Sequence, residues 1–250
     1  MKLPQRIAFR PVVVAAMAAF AAGCAKEDRQ MPGPAPAPAH AVLALEHQVD
    51  GQDFRYDTVQ YTNEAGQVYG ITHLEYYLSQ LTLAGAAGTP DQVIPGPWYV
   101  NGMNANRFDL GPLPAGTYTG ATVQLGLPPA LNQTGALPGT LENLLMAWPA
   151  PMGGGYHFMK FEGHFLLNGQ PTGFAMHLGR DENLVHCTMQ QPFTLAGAKD
   201  TLVLRFNLNE VFRSPHTYDL TTGNQSMGSM ALMGLLRDNC ADAFTLEHRP

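Results

Sequence analysis

Histidine is the reactive side chain whose placement says most in this sequence, with nine among 250 residues. His47 alternates with Leu43, Leu45 and Val49, so a strand there turns it toward the apolar side. His157 shares its parity with Met159, Phe161, Phe165 and Leu167. His177 follows Met176 at the end of a short strand. A buried imidazole without a partner costs about 1–3 kcal/mol. One such residue is ordinarily satisfied by a backbone carbonyl; several in one core invite a shared explanation, and a bound metal is the usual one. Neutral imidazole suits zinc and copper, and an extracytoplasmic chain with twelve methionines tilts the choice to copper. The other histidines have plainer readings. His40 falls in a Pro/Ala-rich tether, His73 at a strand entrance, and His164 on a polar face beside Glu162. His186 adjoins Cys187, but adjacent strand residues point to opposite faces. His216 and His248 lie in loop and terminal segments. Met227, Met230 and Met233 follow helical spacing and read as core.

The second chemical feature is residues 146–163, MAWPAPMGGGYHFMKFEG. Pro149 and Pro151 stop any helix after Trp148. Gly153, Gly154 and Gly155 then permit a turn closed to other residues, and a strand follows with His157 near its start. One of two tryptophans is thereby held at a tight corner beside a histidine. The plain alternative is that Trp148 is an ordinary core aromatic.

Other chemistries are absent. The sequence has no G-x-S-x-G, no H-E-x-x-H and no phosphate-cradling glycine loop. Its cysteines form no C-x-x-C pair, which excludes a zinc ribbon or a thioredoxin-type site. A net charge of −6 without a basic run argues against nucleic acid as a partner.

Residues 1–23 carry Lys2, Arg6 and Arg10, then an apolar run ending in Ala21-Ala22-Gly23-Cys24. This is expected to be a lipoprotein signal peptide, too short for a permanent membrane span. Cys24 is the expected lipidation site and the membrane contact is through that anchor alone. Ala25 after the cysteine leans toward the outer membrane, on the periplasmic side or at the cell surface. Residues 24–40 are the tether, and residues 41–250 one domain. Gly and Pro number 26 and 20 and punctuate short alternating segments, the signal of an all-β, antiparallel β-sandwich with one or two short helices. Strands are expected at 42–49, 73–83, 118–125, 156–167, 173–178, 183–189, 201–208 and 243–246, and helices at 138–147 and 226–237. An oxidising compartment allows a disulfide between Cys187 and Cys240; two free buried thiols are the alternative.

The ordered segments THLEYYLSQLTL, LGLPPALN, LLMAW with GGGYHFMKFEG, GFAMHLG, and Asn239 with Asp242-Ala243-Phe244 resemble the MbnP-like family of periplasmic copper-binding proteins, across residues 42–246. The resemblance implies a non-enzymatic β-rich domain that holds or passes on copper. It also implies a partner, a di-haem enzyme of the bacterial cytochrome c peroxidase type, which converts a tryptophan to a copper-binding kynurenine. Carried over, His177 of the His-Leu-Gly block ranks first as ligand, His47 second and Trp148, once converted, third; His157 stands below them. Two departures matter. Ala150 stands where many relatives have a second tryptophan, and Arg180-Asp181-Glu182-Asn183 replaces Ser-Thr-Gly-Cys. A different reading is a metal-free surface module for a glycan or other ligand, contacting it through Tyr76 or Tyr77 and Trp98. A third, an extracytoplasmic metallohydrolase, lacks a clustered ligand motif.

Overall fold

Alternating apolar residues between glycine and proline breaks fold as strands. The computed structural model describes residues 37–250 apart from 87 and 198; the signal segment, Cys24 and most of the tether lie outside the described residues. In chain order the strands are β1 (Ala39–Val49), β2 (Gln52–Asp53), β3 (Tyr61–Thr62), β4 (Val68–Gly85), β5 (Gln92–Ile94), β6 (Trp98–Asn101), β7 (Asn106–Leu113) and β8 (Gly116–Leu125). Helix α1 (Leu141–Leu145) leads to β9 (His157–Leu167), β10 (Gln170–Gly179), β11 (Val185–Met189), β12 (Phe193–Leu195) and β13 (Asp200–Asn207). Helix α2 (Met230–Cys240) and β14 (Phe244–Arg249) complete the chain.

Two sheets face each other, giving the all-β sandwich expected. One is ordered β14-β13-β1-β2, with β7 also on β1; the other runs β10-β9-β4-β8-β11, with short strands added to β4 and β8. Pairing is antiparallel except between β1 and β13, which run parallel with Leu43 opposite Leu202 and His47 opposite Phe206. The sheets meet through aromatic rings. Tyr76 of β4 sets its edge against Phe206 at 5.5 Å, and Phe206 stacks on Phe244 at 4.5 Å. Such pairs add to the area that large rings bury.

β4 is a central strand covered on both sides, so Tyr76 and Tyr77 are interior and offer no exposed contact surface for a glycan. Strand β1 begins at Ala39, and His40 is therefore strand, with Asp109 of the neighbouring strand 3.4 Å away. Helix α1 is shorter than its apolar run because Thr140 caps it and Met146 leaves it. Helix α2 starts four residues later than expected. Gly228 has φ +86, closed to a right-handed helix, and the Ser229 side chain accepts from Leu232 N–H as the cap. Among the described residues no helix is long and apolar enough to cross a membrane. The proposed Cys187–Cys240 disulfide is not formed: both thiols are free and buried. The Cys187 thiol donates to the Cys240 carbonyl at 3.4 Å, and burial pushes it up to about 12.

Candidate metal centre

Three of the four residues expected at the site come together, and a break in strand register brings them there. In an unbroken antiparallel pair, the opposite parity of His157 and Lys160 would put their side chains on opposite faces of β9. His177 lies opposite Lys160 and Leu178 opposite Met159, but Gly179 then pairs with His157 instead of Phe158. The extra residue on β9 is a β-bulge, which re-aims the side chain before it. His157 thus meets His177: the ring centroids are 5.0 Å apart and the planes perpendicular.

Trp148 is delivered by the corner read from the sequence. Gly153, Gly154 and Gly155 have φ of 111, 69 and 84, so the chain doubles back at once. Ala147 bridges Tyr156, Trp148 N–H donates to Gly155 O at 2.9 Å, and His157 N–H donates to Met146 O at 2.7 Å. The loop before α1 clamps the turn: Thr134 Oγ1 accepts from Gly155 N–H, and Asn132 Oδ1 from Tyr156 N–H, each at 2.9 Å. The indole is buried, 4.6 Å from the His157 ring. Gly179 makes room for it, since a Cβ there would fall 2.7 Å from indole Cε3 and Cζ3. This is why glycine ends the His-Leu-Gly block.

The hydrogen bonds fix both tautomers. His157 Nδ1 lies 3.1 Å from the Met146 carbonyl, which can only accept, so Nδ1 carries the proton and Nε2 the lone pair. His177 Nε2 donates to Glu162 Oε1 at 2.7 Å, leaving the lone pair on Nδ1. Both lone-pair atoms, His157 Nε2 and His177 Nδ1, are buried and have no hydrogen-bond partner. Two adjacent imidazoles, each with one nitrogen held by the protein and the other bare, match how metal-ligating histidines are prepared. Burial pushes His157 down to about 4, with the Met146 carbonyl opposing, so it is neutral and ready to donate its lone pair. The His177 imidazole holds the Glu162 carboxyl below its usual range. The Trp148 indole N–H donates to Met152 O at 3.3 Å; intact, it has no lone pair to offer.

His47 does not join them. Its ring sits among Phe54, Tyr76 and Phe206, and its Nε2 bonds the Tyr76 hydroxyl at 2.9 Å. Burial pushes it down to about 4. It is a half-buried histidine whose Nε2 is satisfied by a tyrosine. The remaining histidines pair with carboxylates or face solvent: His73 lies 3.0 Å from Glu75, His216 3.2 Å from Asp238 and His248 2.7 Å from Asp200. Among the described residues no group of three or more His, Cys, Asp and Glu side chains converges. A metal here would rest on two imidazoles and whatever the indole position supplies.

The residues that build this arrangement fall within the span that matches a known family. The family model described as MbnP matches residues 38–231. A solved structure described as "MbnP from Methylosinus trichosporium" is similar at 12% identity with a TM-score of 0.52, over 85% of this chain and 99% of that one. At that identity the likeness is one of fold. No curated protein matches. On the family match, which covers most of the sequence, the chain belongs to the MbnP family.

Proposed function

We propose that the protein is a non-enzymatic copper-binding protein that holds or passes on copper outside the cytoplasm, with His157 Nε2 and His177 Nδ1 as its ligands. The observation that carries this reading is the pair of buried, unpartnered lone pairs on adjacent imidazoles. The donors are imidazole nitrogens, and no carboxylate or thiolate stands among them. That set suits a soft, low-charge ion that tolerates few ligands, as Cu(I) does, better than zinc, which takes four. Glu162 and the Met146 carbonyl hold the rings in place from behind. Membership of the MbnP family supports the same assignment.

Trp148 enters as a third ligand only after oxidation. Ring opening to kynurenine cleaves the indole C2–C3 bond with addition of two oxygen atoms, followed by hydrolytic loss of the formyl group as formate. Peroxide, reduced to water at the haem of a di-haem cytochrome c peroxidase-type partner, would supply the oxidising equivalents. The product carries an aromatic amine and a ketone, both with lone pairs. Lipidation at Cys24 would anchor the domain to the outer membrane.

Copper(I) competition titrations of the wild type and of the His157→Ala, His177→Ala and His47→Ala variants test the ligand set. The first two variants are expected to lose tight binding and the third to keep it. Retention by His157→Ala or His177→Ala, or loss in His47→Ala alone with its fold intact, would overturn it. Intact mass after co-expression with the peroxidase tests the Trp148 step: no mass change on a peptide containing residue 148 would remove it.

A further inference from the structure

The indole of Trp148 borders two different environments. Away from the imidazoles it lines a cleft of about 380 Å³, together with Pro151, Met152, Gly153, Arg180, Gly228, Met230 and Met233. The lining contains no histidine, cysteine, aspartate or glutamate. Its soft donors are three thioethers.

Their placement is specific. Met230 and Met233 stand three apart on α2 and so share one helix face. Both sulfurs are drawn to the same atom, Asn183 Nδ2, at 3.9 and 3.8 Å. That amide is fixed by its second bond, to Gly179 O at 2.8 Å, so the two thioethers converge on the ground beside Trp148. Met152 comes from the glycine corner, and its methyl carbon lies 3.6 Å from where a Cβ on Gly228 would stand, an ordinary packing distance from the residue before the cap of α2. Met233 is buried, but Met230 is 44% exposed. One thioether of the set can therefore be reached from solvent. Arg180 is the one charge on the lining, and its guanidinium is engaged, with Nη1 on Met152 O at 3.0 Å and Nε 3.9 Å from Glu182.

We propose that this methionine cleft is a second metal site, in which the thioethers of Met152, Met230 and Met233 take a monovalent soft cation, Cu(I) or Ag(I), above the Trp148 ring. Thioethers are neutral and polarizable and select such ions over zinc, calcium or magnesium. An aromatic face adds attraction for a cation placed over it. The site is distinct from the imidazole pair and does not depend on it, although the same indole separates the two. An ion held here is one ring away from the histidines, so the cleft would serve as the antechamber through which the imidazole site is loaded or emptied. Met233 lies beyond the residues matched by the family model.

The test uses the full chain with its methionine methyl groups labelled for NMR, titrated with Ag(I), which undergoes no redox chemistry. The expected result is that the methyl signals of Met152, Met230 and Met233 shift while that of the buried Met189 on β11 stays, and that Zn(II) leaves all of them in place. The His157→Ala/His177→Ala variant should keep these shifts, and Met152→Leu/Met230→Leu should lose that of Met233. Unmoved methyl signals in the wild type, equal shifts with Zn(II), or an unchanged Met233 response in the double leucine variant would each overturn the proposal. If the imidazole site fails to bind copper while the methyl shifts appear, only the function proposed above falls.

Discussion

Gly179→Ala adds a single methyl group where the structure leaves no room for one. Its Cβ would stand 2.7 Å from Cε3 and Cζ3 of Trp148 and 3.3 Å from the Tyr156 carbonyl. The indole is 3% exposed, rigid, and pinned by His157 on one side, so it cannot swing aside as a long flexible chain would. Overpacking of this kind costs about 1–3 kcal/mol. For a domain of this length, 2 kcal/mol lowers the thermal midpoint by roughly 4–8 °C. Gly173→Ala on the same strand is the control: its Cβ would meet only Gly163 O, at 4.0 Å. With no clash, the loss of unfolded-state freedom should leave it neutral or more stable by about 0.4–1 kcal/mol. Calorimetry of the metal-free protein reads both midpoints. The double variant Gly179→Ala/Trp148→Leu should lose less than the sum of its singles, because the colliding ring is gone. Equal midpoints for Gly179→Ala and Gly173→Ala, or strict additivity in the double variant, would refute the claim that this glycine exists to seat the indole.

Acid should destabilise the protein before its carboxylates titrate. His47 and His157 take a proton near 6.5 in the unfolded chain and near 4 when folded, so the unfolded state binds more protons between these values. Stability is complete above 6.5 and falls as the pH drops through the window, by about 2 kcal/mol per imidazole at about pH 5. Urea unfolding of the metal-free protein at the two ends of the window measures this, and His47→Gln, which keeps a partner for Tyr76 but has no proton to gain, should remove about half the fall. Cys187 and Cys240 should resist maleimide in the native protein, being buried with their pKa values pushed up, and label together once guanidinium unfolds the chain; rapid native labelling would contradict the packing described.

The glycine corner and the strand after it were legible because three consecutive glycines and a change of hydrophobic period are local signals. So were the sandwich and most of its longer strands. The ligand pair was not. Alternation gave His157 the parity of Met159 and Phe161, and His47 the parity of Leu43 and Leu45, with nothing to separate them. The difference lies in the partner strand: opposite Gly179 the register slips by one residue, and a bulge of that kind leaves no mark in the sequence of β9 alone. His47 had a tyrosine waiting on the facing sheet, a contact between residues 29 apart in the chain. Strand β7 escaped notice because Gly111 and Pro112 interrupt it, yet it needs only the edge of β1 to form. Met227, Met230 and Met233 read as core from their helical spacing, which is right for Met233 and incomplete for Met230.

The parallel seam between β1 and β13 ties the order of assembly to the length of the chain. Ala41 finds Asp200, and Gln48 finds Asn207, so the first strand has one long flank uncovered until nearly the whole polypeptide exists. Until then only β2 and β7 can shield it, from the other side. Closing so wide a loop is slow, and an apolar strand left waiting is prone to pair with a neighbouring molecule. A chain truncated before residue 200 would therefore not be a smaller version of this domain but one sheet short of its central partner.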